Sequence, residues 1–348
     1  MGGRPQIQVL IRLKAIRTSG SEPVSLRREE GFADWSLVKI ALVAPPFIAV
    51  PPENYGGTEL FVAQLAEGLK AAGTEVIVYA NGESTVNAER RWRYERSQWP
   101  IRTDQHAWLK ELDHTSWAMH DAARSCDLIH LQAPVGLPTS SFLPTAVICT
   151  LHGPHDSRLT EFCERYPDVH YVCISEFQCR QESMPHLHTV HHGIDLSKYQ
   201  LREKKDQYLS FIGRIAPIKG THIAIDVAKR TGIPLKIAGD IQPMYRDYFE
   251  AKIKPHLDGR LVEYVGLADL AAKNELLGNS LAMLFPILWN EPFGLVMVEA
   301  MACGTPVLAL KGGSVPEIVR DGISGYVCRS VSQLAKRAID LHIEADVR

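Results

Sequence analysis

The chain has 348 residues, 45% of them hydrophobic, which exceeds one typical domain and supplies apolar material for two cores. A formal charge of -2, from 38 basic against 40 acidic side chains, excludes a global attraction to nucleic acid or to an anionic membrane, so any cationic chemistry is local. Seven cysteines, at 126, 149, 163, 173, 179, 303 and 328, form no Cys-x-x-Cys pair and suit a reducing cytoplasm, and the longest apolar stretches fall well short of the roughly 20 residues that span a bilayer.

Residues 1–37 carry Arg4, Arg12, Lys14 and Arg17 with no acid before Ser21, loosely like a transit peptide; they read better as a disordered extension or upstream sequence. From residue 38 onward, apolar runs of strand length alternate with helical patterns, the signature of parallel sheets built from right-handed crossovers. A first domain over 38–192 has strands predicted at 38–44, 75–80, 127–132, 146–151 and 169–174. Its helix at 58–72 buries Phe61, Leu65 and Leu69 and is closed by Gly73. A charged stretch, 193–206, reads as the linker. The second domain, 207–348, has strands predicted at 207–213, 234–238, 261–265, 281–285 and 305–310, with helices over 221–229 and 331–343. The fold class is therefore α/β, with two Rossmann-like doubly wound domains whose strand ends are expected to face one another across a ligand cleft.

Three sets of residues carry chemistry. Gly213-Arg214 and Lys219-Gly220 lie where a strand ends and a helix begins, so helix N–H groups, an arginine fork and a mobile lysine would converge on a diphosphate. An ordinary basic loop has the same letters. Glu291 lies in a Pro-marked loop and Glu299 on the following helix; a carboxylate accepts from vicinal hydroxyls, which suits Glu299 to a ribose and Glu291 to a sugar. Between them Phe293, Gly294 and Leu295 open that helix. In the first domain, Gly56-Gly57 would turn backbone N–H groups toward phosphates or an acceptor, although Thr58 as a simple N-cap suits the same spacing. No Asp-x-Asp pair follows a strand to hold a metal.

Gly213-Arg214 with Lys219-Gly220, the Glu291/Glu299 pair around Phe293-Gly294, the run Glu299-Ala-Met-Ala-Cys-Gly-Thr-Pro306, and Gly312-Gly313 with Glu317 together resemble family 4 of the retaining glycosyltransferases, of GT-B architecture. The resemblance spans roughly residues 38–328 and is strongest after Thr189. It implies that Arg214 and Lys219 bind the donor diphosphate, that Glu299 binds ribose and that Glu291 touches the transferred sugar. It also places His152, after the strand 146–151, beside that sugar with Asp156 as a neighbour. His192 stands where the family usually has asparagine before glycine, a position suited to packing or a hinge. The chain ends soon after the helix 331–343, whereas the family usually continues into a further helix; the second domain is thus expected to be truncated.

The expected activity is retaining, metal-independent transfer from a nucleotide-sugar donor, without a cofactor, to a sugar, lipid-linked or small-molecule acceptor. The reading has no nucleic acid partner and no transmembrane segment, and is compatible with peripheral membrane contact. Rival readings are a sugar-nucleotide epimerase of the same architecture and a non-catalytic nucleotide-sugar binder. Trp92, Trp99, Trp108 and Trp117 are candidate acceptor-stacking residues, with Arg90, Arg91, Arg93 and Arg96 interleaved as a solvated face.

Overall fold

The computed structural model describes residues 38–53, 56–98 and 106–346; the extension predicted at 1–37 and Trp99 lie outside the described residues. Contacts divide the chain into two compact units. The first comprises 38–52, Gly56–Ile174 and Cys179–Gly193, and the second Glu53, Ser175–Gln178 and 194–346.

In the first unit seven parallel strands, β1 (Lys39–Val43), β2 (Glu75–Ala80), β3 (Glu89–Trp92), β4 (Leu128–Leu131), β5 (Ala146–Leu151), β6 (His170–Cys173) and β7 (Leu187–Thr189), lie in the order β3-β2-β1-β4-β5-β6-β7. Alternation along each central strand feeds two cores. Ile40 and Leu42 pack on one face with Val76 and Val78, while Ala41 and Val43 pack on the other with Ile77 and Tyr79. Helix α1 (Gly57–Ala71) lays Phe61, Leu65 and Leu69 onto the first face, as its periodicity predicts. Helix α2 (Ala107–Ala122) buries Ala118, Met119 and Ala122 against the second face, and α3 (Ser157–Glu164) follows β5.

The second unit holds six parallel strands: β8 (Leu209–Ile212), β9 (Leu235–Ala238), β10 (Val262–Gly266), β11 (Ala282–Phe285), β12 (Val307–Leu310) and β13 (Gly325–Cys328). Their order is β10-β9-β8-β11-β12-β13, flanked by α4 (Thr221–Thr231), α5 (Leu270–Gly278), α6 (Leu295–Ala302) and α7 (Val331–Asp346). Strand order reverses between β8 and β11, which pair directly through Leu209 with Ala282 and Ser210 with Met283. The loops that follow these two strands therefore leave the sheet side by side, at the kind of switch point where open α/β sheets bind ligands.

All ten strands predicted from the sequence are present. The three without a prediction, β3, β7 and β13, are sheet edges whose half-polar sequences Glu-Arg-Arg-Trp, Leu-His-Thr and Gly-Tyr-Val-Cys carry little hydrophobic signal. The segment 193–206, expected as a linker, packs onto the second unit. Tyr199 joins its core, and Lys205 donates to the carbonyls of Gly278 and Cys303 at 2.8 and 3.0 Å.

One charge in the first unit is placed against its own interest. Glu59, in the first turn of α1, is 6% exposed. A helix N-terminus favours a carboxylate, but burial dominates, Glu111 adds like-charge repulsion, and its pKa is pushed up to about 7. The native carboxyl thus keeps a proton that the unfolded chain releases near pH 4.5. Its contribution to stability is intact below that pH and is lost as pH rises through about 7. Glu59→Gln should therefore gain on the wild type between pH 4.5 and pH 8, by up to about 3 kcal/mol. Urea unfolding at both pH values measures this, and a pH-independent difference between the two proteins would refute it.

Candidate functional site

At the end of β8 the chain passes through Gly213 and Arg214, makes one 3-10 turn at Pro217–Lys219 and enters α4 through Gly220. The glycine this turn requires is Gly220. Its φ is 74°, and a Cβ there would lie 1.9 Å from the Pro286 carbonyl oxygen. Gly213, expected to permit the tight turn, does not have positive φ, and a Cβ on it would meet only Phe211, at 3.7 Å. The close approach is supplied by Gly239, whose Cβ would fall 1.8 Å from the Gly213 oxygen. Arg214 is half-buried with its guanidinium 5.6 Å above the Tyr245 ring, and its buried Nε finds no hydrogen-bond partner.

The loop after β11 is strapped to this turn by the Leu288 N–H, which donates to the Ile218 carbonyl at 2.8 Å. It carries Trp289 and Glu291. Lys219 Nζ lies 2.5 Å from Glu291 Oε2, and the Trp289 indole N–H donates to the same oxygen at 2.9 Å. The Lys219 ammonium also sits 4.5 Å from the centre of the Trp289 ring. Gly313, at φ 56°, closes the far side: a Cβ there would reach the Glu291 backbone at 2.2 Å, and the Ser314 N–H donates to the Glu291 carbonyl at 2.9 Å. Glu317, three residues beyond Ser314, accepts from the backbone N–H groups of Glu176 and Phe177 at 2.8 and 3.1 Å, capping the short helix Glu176–Cys179.

Glu299 occupies α6 at 2% exposure. Its Oε1 accepts from the Tyr199 hydroxyl at 2.9 Å and from Lys273 Nζ at 3.0 Å, and Lys273 reaches Oε2 at 3.2 Å. Sequence reasoning placed the two glutamates on one ligand; in the structure each carboxylate has its own lysine. Tyr199 and Lys273 had no motif to betray them. A lysine in the opening turns of α5 works against the helix dipole, and that is the one sequence sign that it answers a buried acid. Phe293, expected at the donor, is 2% exposed, and its carbonyl accepts from the Ser314 hydroxyl. Its side chain therefore belongs to the core, leaving the backbone from Gly294 to Leu295, where α6 opens, as the accessible polar element.

In the first unit, Gly56 has φ 146° and is the N-cap of α1, with Gly57 as the first helical residue. Thr58 is therefore inside the helix and does not cap it. His152 follows β5 and donates through Nε2 to Gln132 Oε1 at 2.9 Å. It stacks on His192 with centroids 5.4 Å apart, and Phe61 packs against both rings. Burial, reinforced by neighbouring imidazoles, holds His152 well below the usual histidine range; burial takes His192 down to about 3 and His130 to about 4. The stack is thus neutral near pH 7 and offers hydrogen bonds, not charge. Asp156, expected as a companion of His152, instead caps α3 by accepting from the Arg158 and Leu159 N–H groups at 2.9 and 3.2 Å.

The tryptophan segment divides. Trp117 packs in the core 5.8 Å from Tyr79, Trp92 donates to Glu95 at 2.9 Å on edge strand β3, and Trp108 is 55% exposed. Arg91 pairs with Asp121 and Glu89, and Arg93 with Asp113, which matches a solvated charged face.

The Glu299 cluster generates a stability test. Lys273→Met would leave a buried carboxylate with a single hydroxyl partner, at a cost of about 3–5 kcal/mol, whereas Tyr199→Phe removes one charge-assisted hydrogen bond and should cost about 1.5–3 kcal/mol. Urea unfolding of both variants at neutral pH gives the comparison. If Lys273→Met unfolds like wild type, the ion pair does not hold the carboxylate.

Comparison with known proteins places this geometry. Residues 195–346 match the family described as Glycosyl transferases group 1, and residues 55–198 match Glycosyltransferase Family 4. Similar curated proteins include the D-inositol 3-phosphate glycosyltransferases of Mycobacterium marinum, 31% identical over 39% of this chain and 32% of that protein, and of Mycobacterium tuberculosis strain F11, 31% identical over 39% and 31%. The match thus spans about a third of the length of these relatives. Among solved structures, a glycosyltransferase involved in avilamycin A biosynthesis aligns with TM-score 0.61 and 23% identity over 89% of this chain and 92% of its own. Sucrose-phosphate synthase from Thermosynechococcus elongatus aligns with TM-score 0.75 and 18% identity over 89% and 90%. An Anabaena protein crystallised with UDP-glucose aligns with TM-score 0.65 and 18% identity over 89% and 95%. With the two family descriptions together spanning residues 55–346 and both parallel sheets in place, the chain belongs to the group 1, family 4 glycosyltransferases of GT-B fold.

Proposed function

We propose that the protein transfers a glycosyl group from a nucleoside diphosphate sugar to a hydroxyl-bearing acceptor, with the donor held by the second unit. The observation that carries this reading is the pairing of Arg214, whose buried Nε lacks an acceptor, with Lys219 at the β8/β11 switch point. In the reaction the bond from the anomeric carbon to the diphosphate oxygen breaks, and a new bond to the acceptor oxygen forms. The acceptor's proton leaves to the departing diphosphate. Negative charge grows on that leaving group, and on this reading Arg214 and Lys219, on the turn before α4, would meet it. On this reading Arg214 and Lys219 take the part a divalent metal plays elsewhere, so no metal is required.

Glu299, anchored by Lys273, would accept from a ribose hydroxyl through Oε2, the less engaged of its oxygens. Glu291 would meet the transferred sugar. His152 contributes a neutral imidazole as a hydrogen-bonding partner for sugar hydroxyls. Transfer with retention, by attack on the face that the diphosphate leaves, fits the engagement of Asp156 as a helix cap, which occupies the carboxylate nearest in sequence to His152. Among the described residues no helix is long and apolar enough to cross a membrane. The seven free thiols suit a cytoplasmic site of action, where nucleotide sugars would be met.

The test begins with thermal shifts against UDP-, GDP- and ADP-sugars, because a ligand bound only by the native state raises its melting temperature. With the best donor, Lys219→Ala should lose about 10²–10³ in turnover, Arg214→Lys should also be slowed, and excess EDTA should leave the wild-type rate unchanged. Activity abolished by EDTA and restored by magnesium or manganese would exclude the cationic-loop mechanism. Anomeric configuration of the product, read by NMR, decides retention.

A further inference from the structure

Lys219 poses a problem for any reading in which it binds a diphosphate, because it is already in use. Its ammonium lies 2.5 Å from Glu291 Oε2, and Glu291 is buried. If the lysine moved to a phosphate, the carboxylate would be left as an unpaired anion in the interior. Trp289 touches both partners. Its indole N–H donates to the same Oε2 at 2.9 Å, and its ring lies 4.5 Å from the Lys219 ammonium. The residue is held in place from two sides: the Leu288 N–H ties the loop to the Ile218 carbonyl, and the glycine at 312 lets the next loop approach the Trp289 carbonyl, which a Cβ there would meet at 2.8 Å.

We propose that Trp289 is a positioning residue that lets Lys219 change partners between Glu291 and the donor diphosphate. The inference rests on the donor-site reading above. An ammonium has three N–H donors on a flexible stem. Over the indole face it keeps a favourable contact while its hydrogens turn from the carboxylate to phosphate oxygens. The indole N–H stays on Oε2 throughout, so Glu291 retains a partner as the lysine leaves. The face of the ring serves the cation and its edge serves the anion.

The two parts separate by mutation. Trp289→Phe keeps a ring face and removes the N–H; Trp289→Leu removes both. Glu291→Gln removes the charge that the N–H offsets, so Trp289→Phe should matter little in that background. Wild type, the three single variants and Trp289→Phe/Glu291→Gln are titrated by calorimetry with UDP-glucose, GDP-mannose and ADP-glucose. Unfolding curves establish that each is folded. For the donor that wild type binds best, Trp289→Phe should weaken affinity about tenfold and Trp289→Leu further, while adding Trp289→Phe to Glu291→Gln should cost less than twofold. Trp289→Phe preserves most of the packing, so it carries the test even if the leucine variant does not fold. Wild-type affinity in Trp289→Phe, or the same loss with and without the Glu291 charge, overturns the inference and leaves the donor reading standing. If wild type binds none of the three donors, the donor reading itself falls and takes the inference with it.

Discussion

An ionised carboxylate without partners is among the costliest groups a protein interior can hold, and the second unit buries two of them, Glu291 and Glu299. Satisfying them organises much of the surrounding chain. Glu299 draws Tyr199 from the segment before β8 and Lys273 from α5 onto α6. Glu291 draws Lys219 from the turn after β8 toward the loop after β11. Segments distant in sequence are thereby joined by electrostatic necessity as well as by the apolar packing beneath them. The sheet order contributes the other half: because β8 and β11 are neighbours, the lysine and the carboxylate emerge within reach of each other.

Lys273 pairs with Glu299 and Lys219 with Glu291, while Arg214, whose charge the nearby Asp240 feels, keeps a buried Nε without a hydrogen-bond partner. That unsatisfied donor lies on the same turn that leads into the start of α4, where free helix N–H groups also point outward. Lys219 can join these donors only by leaving its carboxylate, which is why the identity of the residue beside it matters.

Period and spacing were enough to read the central strands, because residues buried on both faces of a parallel sheet form near-continuous apolar runs. They also located α1 and the Arg214 and Lys219 turn. Edge strands such as Glu-Arg-Arg-Trp escaped because one side faces solvent and the apolar run is missing. Helix α2 escaped because its buried stripe contains His114 and Thr115 beside small residues, which do not stand out in hydropathy. At the site, the glutamates could be found by type and spacing, but their partners could not. Lys273 and Tyr199 reach Glu299 through the tertiary fold, from 26 and 100 residues away in sequence. Asp156 and Phe293 show structural duties that type and spacing do not reveal, since the carboxylate caps a helix and the aromatic ring is buried in the core.

The first unit handles burial in the opposite way. Its imidazoles at 130, 152 and 192 and the carboxyl of Glu59 are pushed toward their neutral forms, whereas the buried glutamates of the second unit each lie against a lysine ammonium. The difference follows from what each side chain finds beside it. His152 meets an amide, an aromatic ring and another imidazole, none of which stabilises a proton, so desolvation decides. Glu291 and Glu299 meet ammonium groups within 3.0 Å. A neutral stack offers hydrogen bonds without attracting ions, and in a paired acid–base cluster the ammonium keeps further N–H donors that the proposed partner exchange would use. The sequence therefore divides its polar chemistry between a unit that suppresses charge by burial and a unit that pairs it, and it is in the second that the proposed donor site finds its lysine and arginine.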